Sequence, residues 1–160
     1  ISINVSAVEL DQPNWLSKTL AIVQESGVDP ARLMFELTET AVMSSRRKLH
    51  ADLSKLRALG AEILVDDFGT GYSSISLLRD LPVSGLKLDR SFVAELTSPT
   101  GSTRGLADGL AQLSRSIGIK AIAEGIETAA QRDLLMTLGW TYGQGWLYGK
   151  PAPLETWLDL

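Results

Sequence analysis

Two adjacent acids, Asp66 and Asp67, end the apolar segment at 63–67, and a Gly-Thr-Gly turn follows at 69–71. Neighbouring carboxylates at low dielectric repel each other unless a cation offsets their charge or one of them takes a proton. Taken alone, the pair is consistent with an ordinary turn after a buried strand, where Asp side chains accept backbone hydrogen bonds. The alternative is a site for a cation, or for a phosphate held through a cation.

Polar residues also close the other predicted strands. These strand-ending groups are Asn4, Glu36, Lys87, Asp89, Glu124 and Gln144. The carboxyl ends of parallel strands meet at one face, so we expect the groups to converge in one pocket. Each alone fits a cap, an Asx turn or a solvated charge, but together they favour a metal-dependent site. Their oxygen atoms suit Mg²⁺, Mn²⁺ or Ca²⁺, and Lys87 would stabilise a developing oxyanion or position an attacking water.

The elements that must position these groups alternate along the chain. Strands are predicted at 1–5, 32–37, 61–66, 85–89, 120–124 and 141–145, and helices near 13–26, 44–59, 74–80, 103–117, 128–138 and 153–159. This alternation predicts an α/β fold with parallel strands. Two architectures fit: an open doubly wound sheet, or a (β/α)₈ barrel that lacks part of itself.

Composition excludes several classes of protein. The 160 residues suffice for one domain, with 44% hydrophobic and 21% charged residues. A net charge of -4 argues against a protein that binds nucleic-acid polymers. There is no cysteine, which excludes disulfides and thiolate zinc sites. The single histidine, His50, lies in a mixed-charge helical pattern, so a triad with a histidine base is not expected.

The segment at the start of the chain reads as a strand from its first residues, so we expect the sequence to be part of a longer polypeptide. No apolar run reaches the roughly 20 residues of a membrane span, and no signal-peptide pattern is present. A cytoplasmic location is therefore expected, although a membrane tether elsewhere in the full protein is compatible with these observations.

Six segments, NVSA, FELTET, ILVDDFGTGYSS, LPVSGLKLDRSFV, AIAEGIET and YGQGWLYGKPAP, occur in the order and spacing of EAL domains. The chain resembles this bacterial family over essentially all of residues 1–160, as the carboxy-terminal portion of the domain. The resemblance implies a modified (β/α)₈ barrel of the TIM type, often dimeric, that requires two Mg²⁺ or Mn²⁺ ions and hydrolyses cyclic di-GMP to linear pGpG.

The resemblance also implies a role for each matching residue. Metal ligands would be Asn4, Glu36, Asp66 and Asp67; catalytic groups would be Lys87, Glu124 and Gln144. Glu39 would restrain the loop after Asp67. Glu127 would contact the residues that bind the metal rather than the metal itself, or would only place a negative charge at a helix start. The loop runs from Phe68 to Ser74 and is associated in the family with dimerisation and metal coupling; its first residues are Phe68, Gly69, Thr70 and Gly71.

The main departure from the family pattern is the Glu-Ala-Leu signature, which does not occur in these residues. In the family this glutamate lies on an earlier strand. We therefore expect the first one or two β/α units of the barrel to be absent from this chain, which supplies the six units at the carboxy-terminal end. We expect the signature upstream in the intact protein, and we expect this fragment, which lacks that carboxylate, to be impaired. Trp146 and Tyr148 are smaller departures and are interpreted as tolerated aromatic residues of the pocket or the core.

Three functions are consistent with the sequence. The first is a cyclic di-GMP phosphodiesterase, with sensory or cyclase domains in the same polypeptide allowed. The second is a non-catalytic cyclic di-GMP receptor or a protein-interaction module. The third is an unrelated barrel enzyme acting on a sugar phosphate held by the turn at 69–71, which leaves the ordered motifs unexplained.

Overall fold

In a computed structural model of the chain, which describes residues 1–44, 46–69, 75–97 and 102–157, strands and helices alternate. The strands are β1 (Ser2–Val5), β2 (Met34–Thr38), β3 (Glu62–Phe68), β4 (Gly85–Leu88), β5 (Lys120–Ala123) and β6 (Tyr142–Gly143). The helices are α1 (Ala7–Leu10), α2 (Trp15–Ser26), α3 (Glu39–Ser44), α4 (Arg46–Ala58), α5 (Ile75–Asp80), α6 (Arg90–Glu95), α7 (Ser102–Ile117) and α8 (Ala129–Thr137). Within these ranges no helix combines the length and the apolarity that crossing a membrane requires.

The six strands form one parallel sheet in the order β1-β2-β3-β4-β5-β6. Each strand therefore pairs with the next strand along the chain. A doubly wound sheet reverses its strand order at a switch point, and no reversal occurs among the described strands. Sequential order is the arrangement of a (β/α)₈ barrel, which has eight strands. The sheet is thus an arc of such a barrel, and the predicted incomplete barrel is confirmed.

Side chains alternate between the two faces of the arc. On β2, Phe35 and Leu37 pack into the hydrophobic core with residues of the surrounding helices, whereas Glu36 between them faces the barrel interior. Ile63 and Val65 on β3 join the same core. Each large aliphatic side chain buried in this way contributes about 1.5–3 kcal/mol. The apolar outer face therefore fixes which side chains point inward.

Capping boxes stabilise the amino-terminal ends of two of the helices. The Ser6 hydroxyl and the Glu9 carboxylate form a capping box at α1, and Thr128 and Gln131 form another at α8. Gly27 ends α2 with a φ of 67°, a left-handed conformation that costs glycine little. Because such caps fix the point at which the chain leaves a strand, they also fix the direction of the loops at the carboxyl edge of the sheet.

The predicted strands are confirmed with shifted ends. The glycine-rich segment predicted at 141–145 is reduced to the two residues of β6, and β3 continues past the predicted end at 66 to Phe68. Three short helices, α1, α3 and α6, were not predicted. Each has six residues or fewer, which is too short for helical periodicity to be visible in the sequence.

Candidate metal centre

The pairing of β3 with β4 is irregular between Val65 and Phe68. In this interval Asp66 and Asp67 together lie opposite Lys87, so two residues of one strand face one residue of the other, as in a β-bulge. Neighbouring residues of a regular strand point to opposite faces. Asp67 departs from that geometry with a φ of 54°, a left-handed conformation that Asp tolerates better than most residues. The bulge therefore allows both carboxylates to approach the same site.

Lys87 lies at the centre of the acidic groups. Its Nζ donates to Glu36 Oε2 at 2.7 Å, contacts Glu124 Oε1, and lies 3.3 Å from Asp66 Oδ1. The Lys87 side chain is only 5% exposed. Strands β2, β3 and β4 and the residue that follows β5 contribute to this arrangement. We call it the Lys87 cluster: Glu36, Asp66, Asp67, Lys87 and Glu124. The convergence predicted from the strand ends is observed.

The charges of the Lys87 cluster do not balance, because four carboxylates face one ammonium. Burial alone would lower the pKa of Lys87, but the hydrogen bonds that its ammonium donates to Glu124 and Glu36 outweigh burial and raise that pKa above its ordinary value. Burial raises the pKa of Glu124, although the ammonium of Lys87 offsets part of this effect. Burial and the neighbouring charge of Asp66 also raise the pKa of Asp67. Glu124 and Asp67 therefore hold their negative charges less readily than solvated carboxylates do.

Three members of the cluster have the arrangement of a metal site. Carboxylate oxygens of Asp66, Asp67 and Glu124 all lie within 4.8 Å of one another. An all-oxygen set of ligands suits hard cations such as Mg²⁺ and Mn²⁺ and disfavours metals that prefer sulfur. A divalent ion would also supply the positive charge that the cluster lacks. The residues present thus fit such an ion.

A cavity of about 420 Å³ adjoins the cluster. Gln144 links the two, because its Nε2 donates to Glu124 Oε1 at 2.7 Å and its side chain also lines the cavity. Other lining residues are Arg90, Glu127, Trp146 and Lys150. Lys150 Nζ lies 4.9 Å from the centre of the Trp146 ring, a cation–π contact. The cavity thus offers cationic groups for an anion and an exposed aromatic face for a planar ring.

The remaining predicted site residues lie at the same edge of the sheet. Asn4 is paired in register with Glu36, so the two side chains point to the same face. Glu39 begins α3 and is buried, with 5% exposure. Gly69 follows β3 with a φ of 101°, and a β-carbon there would come within 3.0 Å of the Phe92 ring. Glu127 is exposed and lies next to the N-cap of α8.

Part of the prediction for the loop after Asp67 is corrected. Phe68, predicted as a loop or substrate residue, is the last residue of β3 and is 2% exposed within the hydrophobic core. The bulge explains the difference, because the extra residue turns the Phe68 side chain towards the helices. Thr70 and Gly71, and the rest of the predicted loop to Ser74, lie outside the described residues.

Sequence reasoning overlooked two residues of this region. Arg90 and Lys150 line the cavity, but they follow the strands by one or more residues, whereas the prediction considered strand ends. A search extended into the loops would have found them. Asp89, which was counted among the strand ends, caps α6 by accepting from Ser91 N at 3.0 Å. That is the ordinary role of an Asp after a strand.

Fold and site together define a parallel barrel with an oxygen-ligand centre at its carboxyl edge, and the family is identifiable. The chain matches the family model described as "EAL domain" over residues 1–151. It therefore belongs to the EAL domain family, as its motifs indicated.

Several relatives of the chain are named as cyclic di-GMP phosphodiesterases. The cyclic di-GMP phosphodiesterase RocR of Pseudomonas aeruginosa is 34% identical over 159 residues, which cover 99% of this chain and 40% of RocR. Other curated relatives are covered to as little as 18% of their length. The solved PaMucR phosphodiesterase in complex with c-di-GMP superposes with a TM-score of 0.92 at 35% identity, covering 99% of this chain and 64% of that one. Klebsiella pneumoniae BlrP1, solved with manganese and cy-diGMP, gives a TM-score of 0.84 at 27% identity, covering 94% and 38%.

Proposed function

We propose that the chain is the carboxy-terminal six β/α units of a phosphodiesterase domain that hydrolyses cyclic di-GMP to linear pGpG with two Mg²⁺ or Mn²⁺ ions. The observation that carries the proposal is the Lys87 cluster, in which Glu36, Asp66 and Glu124 contact one buried ammonium. Asp67 adds a fourth carboxylate beside Asp66 and Glu124. A cluster with excess negative charge has no evident structural purpose, whereas it suits divalent cations. Family membership and the relatives named for this activity support the same reaction.

The proposed ligands of the metal ions are Asn4, Glu36, Asp66 and Asp67, with Asp66 shared between the two ions. When bound, such ions lower the pKa of water and offset the charge of a phosphate diester. Glu39 is proposed to restrain the loop that follows Asp67. These ligands come from β1, β2 and β3, and the register of those strands already places Asn4 next to Glu36.

The protein groups that would handle protons and charge are Lys87, Glu124 and Gln144. Lys87 keeps its proton because of the surrounding carboxylates, so it can stabilise negative charge that develops on the phosphate oxygens. Burial raises the pKa of Glu124, which makes this carboxylate a better proton acceptor than a solvated one. Gln144 orients Glu124 through its hydrogen bond of 2.7 Å. A water molecule that gives a proton to Glu124 would then attack phosphorus in line. The bond between phosphorus and the 3′-oxygen would break, and the 3′-oxygen would leave as a hydroxyl after it takes up a proton.

The adjoining cavity is proposed to hold the substrate. Arg90 and Lys150 can pair with a phosphate, and the exposed Trp146 ring can stack on a guanine base. Glu127 also lines the cavity and can accept hydrogen bonds from the base edge. The cavity therefore offers cationic groups for the phosphate, an aromatic ring for the base and an acceptor for the base edge.

The proposal extends to the assembly and the location of the protein. The family resemblance favours a homodimer, which sedimentation of the complete protein would test. The substrate class favours the cytoplasm. Sensory or cyclase domains in the same polypeptide are proposed as well, and the length of the curated relatives supports them.

The test uses the complete domain, incubated with cyclic di-GMP and Mg²⁺ or Mn²⁺ while pGpG formation is followed. Asp66→Asn is expected to lower turnover by about 100-fold or more, because it removes a shared ligand. Asp133→Asn is the matched control, since that carboxylate is 63% exposed on α8 and should leave turnover unchanged. Tight binding of cyclic di-GMP without pGpG formation would contradict the proposed phosphodiesterase activity and would support a non-catalytic receptor instead.

A further inference from the structure

Gln131 is a buried polar residue in the first turn of α8 that does not belong to the Lys87 cluster or line the cavity. It is 8% exposed. Its Oε1 accepts from Glu127 N at 2.9 Å and from Thr128 N at 2.9 Å, so it holds the loop between β5 and α8. The bond from Thr128 N belongs to the capping box of α8, whereas the bond from Glu127 N holds the residue before the N-cap.

A third hydrogen bond of Gln131 is not part of a capping box. Its Nε2 donates to the backbone oxygen of Val93 at 3.3 Å, and Val93 lies on α6. The residues are 38 positions apart in sequence. One amide group thus joins the loop that carries Glu127 to the helix that begins with Arg90.

The same two segments are in contact near the cavity. Gly125 has a φ of 69°, and a β-carbon there would lie 2.5 Å from Arg90 Cβ. The β5–α8 loop therefore packs directly on the start of α6. Arg90 and Glu127, one from each segment, both line the cavity. Any change in how α6 lies against this loop alters the separation of these two groups.

We propose that Gln131 is a positioning residue for the cavity: through Val93 it fixes α6 against the β5–α8 loop and so sets the separation of Arg90 and Glu127. The identity of the ligand, cyclic di-GMP, depends on the proposed function. The link itself depends only on the observed hydrogen bonds and packing. A residue that merely capped α8 would leave ligand affinity unchanged when its bond to Val93 alone is removed.

The chain offers a variant that makes this distinction. Gln131→Glu keeps an oxygen acceptor for the amides of Glu127 and Thr128, since glutamate is an ordinary capping-box residue. It removes the N–H donor to Val93 and places a carboxylate oxygen against a carbonyl oxygen. Glu9→Gln, in the capping box of α1, is the matched control because it exchanges the same two groups far from the cavity.

Steady-state kinetics, Mn²⁺ binding and hydrogen exchange, all on the complete domain, test the proposal. In Gln131→Glu we expect KM for cyclic di-GMP to rise about five- to tenfold, kcat and the affinity for Mn²⁺ to change less than about twofold, and the amides of α6 to exchange hydrogen faster. Glu9→Gln should change none of these. An unchanged KM in Gln131→Glu overturns the proposal.

Failure of the proposed function gives a different pattern. If the wild-type domain neither binds nor hydrolyses cyclic di-GMP, hydrogen exchange alone decides whether Gln131 links the two segments. Faster exchange in α6 of Gln131→Glu, with the first turn of α8 still protected, supports the link. Unchanged exchange in α6 overturns it.

Discussion

The Nζ atom of Lys87 lies 2.7 Å from Oε2 of Glu36, although the two residues are 51 positions apart and their strands are not neighbours in the sheet. Strand β3 lies between them and contributes Asp66 to the same ammonium. Lys87 thus extends across the barrel interior and holds three strands together. Its ammonium is the internal counter-ion of the acidic cluster, and the stability of the cluster without metal depends on it.

Replacing Lys87 with methionine tests this role. Lys87→Met preserves the length of the side chain but leaves Glu36, Asp66 and Glu124 facing one another without a positive charge. Breaking a buried ion pair costs about 3–5 kcal/mol, so the free energy of unfolding in EDTA should fall by about that amount. Denaturation in urea measures it. Saturating Mn²⁺ should restore part of the loss, because the metal supplies the missing charge.

Lys120→Met is the matched control for Lys87→Met. Lys120 also pairs with a carboxylate inside the arc, Glu62, at 2.7 Å, but its side chain is 38% exposed. Such a pair contributes about 0–1 kcal/mol. Equal losses in the two variants would show that Lys87 does not act as the counter-ion of the cluster.

The bulge predicts an unusual order of stability for substitutions at Asp67. Asn has the shape of Asp, tolerates the left-handed conformation at a φ of 54°, and removes the repulsion from Asp66. Without metal, Asp67→Asn should therefore be as stable as the wild type or up to about 1 kcal/mol more stable. Asp67→Ala should be less stable than Asp67→Asn by about 1 kcal/mol, since alanine is disfavoured there. Thermal unfolding in EDTA gives the ranking, and an alanine variant as stable as the asparagine variant would exclude strain at this position.

Stability should depend on pH in opposite ways with and without metal. The pKa of Asp67 and that of Glu124 are raised in the folded chain, chiefly by burial. The folded state therefore binds protons more readily than the unfolded state, and in EDTA the stability should rise as pH falls through the range just above the ordinary carboxyl pKa of about 4. Metal binding needs Asp67 deprotonated, and protonation of Glu124 removes a negative charge beside the ion. The increase in Tm produced by Mn²⁺ should therefore shrink over the same range.

Thermal unfolding from about pH 7.5 to about pH 4.5, in EDTA and in Mn²⁺, measures both trends. Glu124→Gln is the control variant because it removes one of the two titrating groups. Its pH dependence in EDTA should be weaker than that of the wild type. An equal or steeper dependence would assign the effect to other carboxylates.

The sequence was sufficient for the order of the elements and for the convergence of the site. Glu36, Asp66, Lys87 and Glu124 sit near strand ends, and in a parallel sheet strand ends share one edge, so their contacts followed from topology. Strand alternation did not decide between a barrel and a doubly wound sheet, because it is common to both. The resemblance to EAL domains indicated the barrel, and the pairing of strands confirms it.

The bulge and the links between loops could not be read from the sequence. Adjacent acids such as Asp66 and Asp67 point to opposite faces in a regular strand, and nothing local shows that β3 contains an extra residue. Phe68 was misplaced for the same reason. The bond from Gln131 to Val93 joins residues far apart in sequence, and its donor looked like an ordinary helix cap.

The contact between Gly125 and Arg90 makes a last prediction about the loops that line the cavity. Gly125→Ala adds a β-carbon 2.5 Å from Arg90 Cβ at a φ of 69°, so the variant suffers both backbone strain and a clash. Gly118→Ala shares the positive φ, 74°, but meets nothing within 4 Å, which isolates the strain. Strain alone costs about 1–2 kcal/mol, and we expect Gly125→Ala to lose at least about 1 kcal/mol more. The clash also displaces α6 from the β5–α8 loop, so KM for cyclic di-GMP should rise in Gly125→Ala and stay unchanged in Gly118→Ala. If Gly125→Ala and Gly118→Ala lost equal stability and had equal KM values, the contact between Gly125 and Arg90 would neither hold the two segments together nor shape the cavity.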